Sequence, residues 1–274
     1  MKLKWIIQAA DERAYRAFVA RWLDHEFVRE RRSRNLKRIG IDLTVGNFWH
    51  TLVGCLLTTQ QPSGETSKVA KFLLGSDPLL DWNHCRNARR LAIQAERTLA
   101  ANGMRRGKMI GEELSEAATY LRRDWGEVST RLQGIAARTS RDREREVAGF
   151  LRSTFKGIGP KQSRNLIQWL GLSRFEVPLD SRMVKVLRGL QFPVPLSPIA
   201  LSDENYYCFV EDGVQSMLAQ IGIYPCIFDP CVFASLERVE STPRRSARDE
   251  TPARKSRSPP SCGIERQRDA PSLV

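Results

Sequence analysis

Lys161 and Asp180 are the two side chains of this 274-residue chain whose neighbours best equip them for chemistry. Lys161 closes the run Phe155-Lys156-Gly157-Ile158-Gly159-Pro160-Lys161, and Asp180 follows about twenty residues on, in Glu176-Val177-Pro178-Leu179-Asp180-Ser181-Arg182. A neutral lysine amine is a nucleophile that forms Schiff bases. An ordinary lysine titrates at about 10.4, so at neutral pH its surroundings must favour the free base. The first turn of a helix does so, because the positive end of the macrodipole faces the ammonium. A carboxylate held in a water-poor site stabilises positive charge developing on a reacting carbon. Asp180 also stands where a helix N-cap belongs, ahead of Met183, Val184, Val186 and Leu187. A capping Asp stabilises its helix by about 1 kcal/mol. The two roles are compatible, since capping fixes the direction of the carboxylate.

The elements that must position these groups read as helices. A helix ending near Thr154 precedes the glycines, and a second begins at Pro160 and carries Leu166, Ile167 and Leu170. Proline suits a first helical position, where its missing N–H would have no partner. Gly157 and Gly159 permit a tight turn and let backbone approach a ligand closely. With Ile158 between them, they put amides beside a helix N-terminus, a natural phosphate site. A plain helix–helix connection is the other reading of the same glycines.

Upstream, Trp49, Leu52, Val53, Leu56 and Leu57 form a stripe of helical period, which Pro62 ends around Thr58-Thr59-Gln60-Gln61. A new helix is expected from Ser63-Gly64-Glu65, with Val69, Phe72 and Leu73 inward. Further helices are expected over roughly 85–102 and 109–136. Another is capped by Thr139 or Ser140, with Val147, Phe150 and Leu151 on its inner face. No period-two alternation suggests a sheet.

Lys and Arg number 44 against 31 Asp and Glu, a net charge of +13, and the isoelectric point is near 9.9. Such a surplus suits a polyanion, because basic side chains on phosphates release condensed counterions; it also suits a well-solvated surface. The apolar run Trp5-Ile6-Ile7 stops at Gln8, too short for an export signal. Nothing approaches the ~20 apolar residues of a membrane span. The expected location is therefore the cytoplasm, with the nucleoid, or the nucleus. Cys55, Cys208 and Cys226 sit in apolar surroundings and read as buried free thiols. With no C-x-x-C pair or four-cysteine series, neither a zinc nor an iron–sulfur site is expected. His25, His50 and His84 are too scattered to suggest a metal site. From about residue 239 the chain turns to Pro, Ser, Arg and Asp, and residues 239–274 read as a disordered basic tail.

Three motifs together carry a resemblance. A helix, a [Leu/Phe]-x-Gly-[Ile/Val]-Gly-x-Lys turn and a helix, followed by the apolar-Pro-apolar-Asp strip at Val177–Asp180, resembles the helix-hairpin-helix DNA glycosylases. The segment Phe48–Gln60, ending in Thr58-Thr59-Gln60, resembles that superfamily's early helix with its Ser/Thr-x-Gln element. The order and spacing match over most of residues 45–190. The Lys-Gly-Ile-Gly-x-Lys hairpin is most similar to the 8-oxoguanine branch, in particular its compact archaeal-type members. Tyr224–Cys231, with two cysteines only, departs from the iron–sulfur loop of the endonuclease III branch. Ser181-Arg182 also departs, standing where many relatives carry Thr-His or Arg-His.

The resemblance implies an all-α fold of two helical subdomains with a cleft between them. One is a six-helix barrel over residues 42–172 ending in the hairpin; the other combines residues 1–41 and 173–238. It implies a base-excision enzyme, a DNA glycosylase with lyase activity. Its partner is double-stranded DNA carrying a damaged base, 8-oxoguanine first and an oxidised pyrimidine second, and it acts as a monomer. Lys161 would attack C1′ of the deoxyribose, and Asp180 would stabilise the charge there. The target must leave the duplex, and Gln60 or Gln61 would fill the gap. Main-chain carbonyls of Ser153, Phe155 and Ile158 would hold a monovalent cation, the one cofactor expected. Tyr206, Tyr207, Phe209 and Phe228 either line the base pocket or belong to the core. Two other readings stay open: a hairpin module that grips DNA without catalysis, and a glycosylase for alkylated or mismatched bases that leaves the strand intact.

Overall fold

The computed structural model describes residues 4–62, 64 and 66–240. They form twelve α-helices and, among the described residues, no strand. The N-terminal helices are α1 (Ala9–Ala20) and α2 (Glu26–Arg31), the latter continuing into a π-helical turn, Arg32–Leu36. Then come α3 (Val45–Leu57), α4 (Lys68–Leu73), α5 (Trp82–Cys85), α6 (Leu91–Ala101) and α7 (Gly107–Ala137). The chain continues through α8 (Arg141–Thr154), α9 (Pro160–Trp169), α10 (Ser181–Gly189), α11 (Glu204–Gln220) and α12 (Pro225–Glu240). No single helix among the described residues is long and apolar enough to cross a membrane.

Local capping explains where these helices depart from the expected bounds. Helix α4 starts later than Ser63–Glu65, because the Ser67 hydroxyl accepts the N–H of Ala70 at 3.0 Å and sets the first turn. The helix expected over 85–102 starts later, at Leu91, and Cys85 ends a separate short helix instead. Asp81 caps the short α5 through the N–H of Asn83, and α6 begins afresh at Leu91. Helix α7 opens at Gly107 and runs for 31 residues with a kink at Asp124. At the start of α8 the cap is Ser140, which accepts the N–H of Arg143, while the Thr139 hydroxyl turns to Glu144. Helix α12 runs to Glu240, and the rest of the tail expected over 239–274 lies outside the described residues.

Two apolar cores organise the helices. The first gathers buried residues between Phe48 and Leu172, around the almost wholly apolar α3. The second gathers Tyr15, Val19 and Val28 with residues between Val177 and Val232. Both lie within one compact unit. The turn after α2 fastens one core to the other. Asn35 donates from Nδ2 to the carbonyls of Gln168 and Ser173, at 3.1 and 2.7 Å. Arg34 reaches the carbonyl of Trp169, and Arg38 that of Gly171. Cationic donors thus occupy the carbonyl end of α9, where both charge and hydrogen bonding favour them.

Between α9 and α10 the chain runs through residues 173–180 with neither helix nor strand. The backbone of its buried part must therefore find partners elsewhere. Glu144, fully buried on α8, accepts the N–H groups of Arg174, Phe175 and Glu176 and the hydroxyl of Ser173. Gln168 donates to the carbonyl of Glu176 at 3.2 Å, and Gln215 to that of Phe175 at 2.8 Å. Replacing Glu144 by Gln turns part of this acceptor into a donor facing donors. Glu144→Gln is expected to lower the unfolding free energy by about 2–4 kcal/mol, measured by denaturant titration. A loss below about 1 kcal/mol would contradict this account of the segment.

Candidate active site

The hairpin between α8 and α9 is anchored from below. Phe155 and Ile158 are buried in the first core, and the N–H of Ile158 donates to the carbonyl of Phe155 at 3.1 Å. Gly157 takes a left-handed φ of +81°, and a Cβ there would lie 2.4 Å from the carboxyl carbon of Glu113. Glu113 is itself buried and paired with Arg106 at 3.2 Å, and burial raises its carboxyl above the ordinary range. Gly159 is different. Its φ is extended and a Cβ would meet nothing within 4 Å. No side chain caps α9, so first-turn N–H groups beside Gly159 lack a partner inside the helix. The arrangement leaves backbone donors beside open space, which suits a phosphate.

One turn into α9, buried polar side chains tie the lysine helix to the end of α3. Gln162 donates to the hydroxyls of Thr59 and Thr58, at 2.7 and 3.3 Å, and accepts from Asn165 at 3.0 Å. Beyond those threonines the two glutamines diverge. Gln61 is committed: its Nε2 donates to the Leu57 carbonyl and its Oε1 accepts the N–H of Arg105 at 3.0 Å. Gln60 is exposed, with a left-handed φ of 59°.

Asp180 caps α10. Its Oδ1 accepts the N–H groups of Arg182 and Met183, both at 2.9 Å. Both bonds fall on one oxygen. Oδ2 has no hydrogen bond among the described residues. Lys161 and Asp180 line the same cleft, of about 430 Å³, together with His50, Asn165, Asp229 and Trp169. That volume is within the ~300–1,000 Å³ typical of small-molecule sites. Aromatic rings close one side: Phe27 and Phe233 lie 5.0 Å apart, with Arg31 over the first and Arg182 over the second.

Three features of the cleft differ from the sequence reading or add to it. The aromatic residues suggested for a pocket are elsewhere: Tyr207 and Phe228 are core, Phe209 packs on Trp5, and Tyr206 bonds to the Pro195 carbonyl. Their helical spacing signals an inner face, and that face meets the second core. Of the thiols, Cys55 and Cys226 are buried as expected, Cys208 only half-buried, and Cys85 and Cys231 buried as well. Burial pushes the Cys55 thiol up to about 12, although the nearby Lys161 charge opposes the rise. Asp229 was not apparent from the sequence, where it looks like part of a Pro-Cys loop. Burial pushes its carboxyl up to about 6, and Asp180 adds to the rise, while Arg31, Lys161 and Arg182 oppose it. No three His, Cys, Asp or Glu side chains among the described residues are grouped to hold a metal ion.

Two measurements follow from this geometry. Gly157→Ala forces a Cβ against Glu113 and is expected to lower the melting temperature. Gly159→Ala meets no protein atom, so its melting temperature should match that of the wild type. Equal melting temperatures for the two variants would contradict the close approach of Gly157 to Glu113. For Asp229, a raised folded-state value means the native protein holds the proton that the unfolded chain loses at about 3.9. Its contribution is present below about pH 4 and lost as pH rises through about 6. Relative to Asp229→Asn, the wild type should lose about 1–3 kcal/mol of stability between pH 4 and 7. A stability difference flat across that range would refute the assignment.

No family model matches the sequence, and no curated protein matches it either. Solved structures do. The 8-oxoguanine DNA glycosylase of Thermotoga maritima superposes with a TM-score of 0.60 at 18% identity, covering 83% of this chain and 97% of that one. The Methanocaldococcus jannaschii 8-oxoguanine DNA glycosylase gives 0.51 at 15% identity, covering 82% and 91%. The 8-oxoguanine glycosylase/lyase of the same organism, in complex with a 15mer DNA containing 8-oxoguanine, gives 0.56 at 12% identity, covering 81% and 96%. The chain has the all-helical fold of these 8-oxoguanine DNA glycosylases.

Proposed function

We propose that the protein is a bifunctional DNA glycosylase that removes 8-oxoguanine from duplex DNA and then nicks the strand as a lyase. One observation carries the reading: a lysine amine from the start of α9 and a carboxylate from the start of α10 line one cleft. Binding alone requires neither group. The fold adds support, because structures that share it include a glycosylase/lyase bound to DNA containing 8-oxoguanine.

The chemistry fits the geometry. The damaged nucleotide swings into the cleft, at a cost of a few kcal/mol, and the exposed Gln60 fills the space it leaves. Gln61, held by Leu57 and Arg105, supports that turn rather than entering the duplex. The amides beside Gly157, Ile158 and Gly159 take a backbone phosphate, and the net charge of +13 draws in the duplex. As the C1′–N bond breaks, positive charge grows on the sugar, and the Asp180 carboxylate stabilises it. The Lys161 nitrogen bonds to C1′ and the base departs with the bonding electrons. Ring opening gives a Schiff base between Lys161 and C1′. Loss of a C2′ proton then expels the 3′ phosphate, and water releases the lysine.

Two further assignments belong to this reading. A monovalent cation, held by main-chain carbonyls of Ser153, Phe155 and Ile158, would supply positive charge under the phosphate. The Phe155 carbonyl already accepts from Ile158, which fixes its direction. The enzyme acts as a monomer on double-stranded DNA.

Borohydride reduction on an 8-oxoguanine duplex tests the reading. The wild type should give a covalent protein–DNA adduct, Lys161→Ala none. Asp180→Asn should slow base release at least a hundredfold with duplex affinity little changed. No adduct from the wild type would leave a binding module. Base release without nicking, undiminished in Lys161→Ala, would make the protein a monofunctional glycosylase.

A further inference from the structure

We infer that Tyr207 is a positioning residue of the proposed reaction, acting through the backbone that carries Asp180. The inference rests on the glycosylase reading and identifies what holds its carboxylate in place. Asp180 follows Val177-Pro178-Leu179, where Pro178 has no N–H to contribute. The Tyr207 hydroxyl spans that gap. It donates to the Val177 carbonyl and accepts the N–H of Leu179, both at 2.7 Å. Glu211, one turn further along α11, accepts the N–H of Val177 at 2.7 Å. Two side chains four residues apart on one helix therefore fix three backbone groups of residues 177 and 179, just ahead of the carboxylate.

The same cluster reaches the lysine helix. Arg164, fully buried and one turn after Lys161, lies over the Tyr207 ring with its guanidinium carbon 4.8 Å from the centroid. It pairs with Glu176 and Glu204 at 2.8 Å and with Glu211 at 3.4 Å. Burial and the neighbouring Glu211 charge hold the Tyr207 phenol protonated, so its donor persists at every working pH. A fully buried tyrosine and arginine are thus joined to two fully buried carboxylates, Glu176 and Glu211, and to the partly exposed Glu204. Their arrangement fixes Lys161 and Asp180 in one frame, and displacements of about 1 Å can cost a hundredfold in rate.

Tyr207→Phe keeps the ring and the stacked guanidinium and removes the hydroxyl alone. Single-turnover excision of 8-oxoguanine should fall 10–100-fold, with duplex affinity within about twofold of wild type. Asp180 acts as the base departs, so borohydride trapping on a preformed abasic site should keep at least a third of the wild-type rate. A purely structural hydroxyl would lower the melting temperature and reduce both steps alike. Equal losses in both steps well below the melting temperature, or unchanged excision, would overturn the inference. If Tyr207→Phe does not fold, Glu211→Gln is read in the same way. It weakens the acceptor that holds the Val177 N–H while Arg164 keeps Glu176 and Glu204, so absence of the split there is equally fatal. A wild type that forms no adduct removes the function itself, and this inference with it. An active wild type beside an unaltered Tyr207→Phe removes the inference alone.

Discussion

The architecture depends on burying a stretch of chain that is neither helix nor strand. Between the carbonyl end of α9 and the cap of α10, backbone polar groups must leave water, and each unpaired one costs roughly 1–3 kcal/mol. The protein meets this cost with side chains: Glu144, Gln168, Tyr207, Glu211 and Gln215 take the place of a ladder. Regular structure here would tie the carboxylate to a helix axis or a strand register. Side-chain partners from α8, α9 and α11 leave it in the lining of the cleft.

Helix termini then put donors and charges where the proposed phosphate and sugar chemistry requires them. Helix α9 presents uncapped amides at one end, and its other end is closed by Asn35, Arg34 and Arg38. Helix α10 is capped by the same carboxylate that faces the cleft. Capping and chemistry share an atom group without conflict, because one oxygen bonds the helix and the other is left for the cleft. The two cores make this possible: the lysine is mounted on the first and the carboxylate on the second.

Much of this was legible in the amino-acid order because the relevant signals are local. Pro160 after Gly-Ile-Gly marks a helix start, Asp180 before Met183 and Val184 marks a cap, and the stripe from Trp49 to Leu57 marks a core helix. The unread features join distant residues. Arg164 meets Glu211, 47 residues further along the chain, and Glu204, and nothing near Arg164 suggests a buried cation. Tyr207 looks like one aromatic among several on α11, and only its hydroxyl partners 28 and 30 residues away distinguish it. Asp229 is surrounded by Pro, Cys and Phe in the sequence, and it becomes a cleft carboxylate only when α12 packs beside α2 and α10.

The most direct test of the central claim is a crystal structure of Lys161→Gln bound to a duplex containing 8-oxoguanine. The account predicts an extruded nucleotide in the cleft, its C1′ carbon between residue 161 and the Asp180 carboxylate at about 3–3.5 Å, and Gln60 in the vacated stack. A duplex bound on another face, or a lesion still stacked while the hairpin grips the backbone, would contradict it.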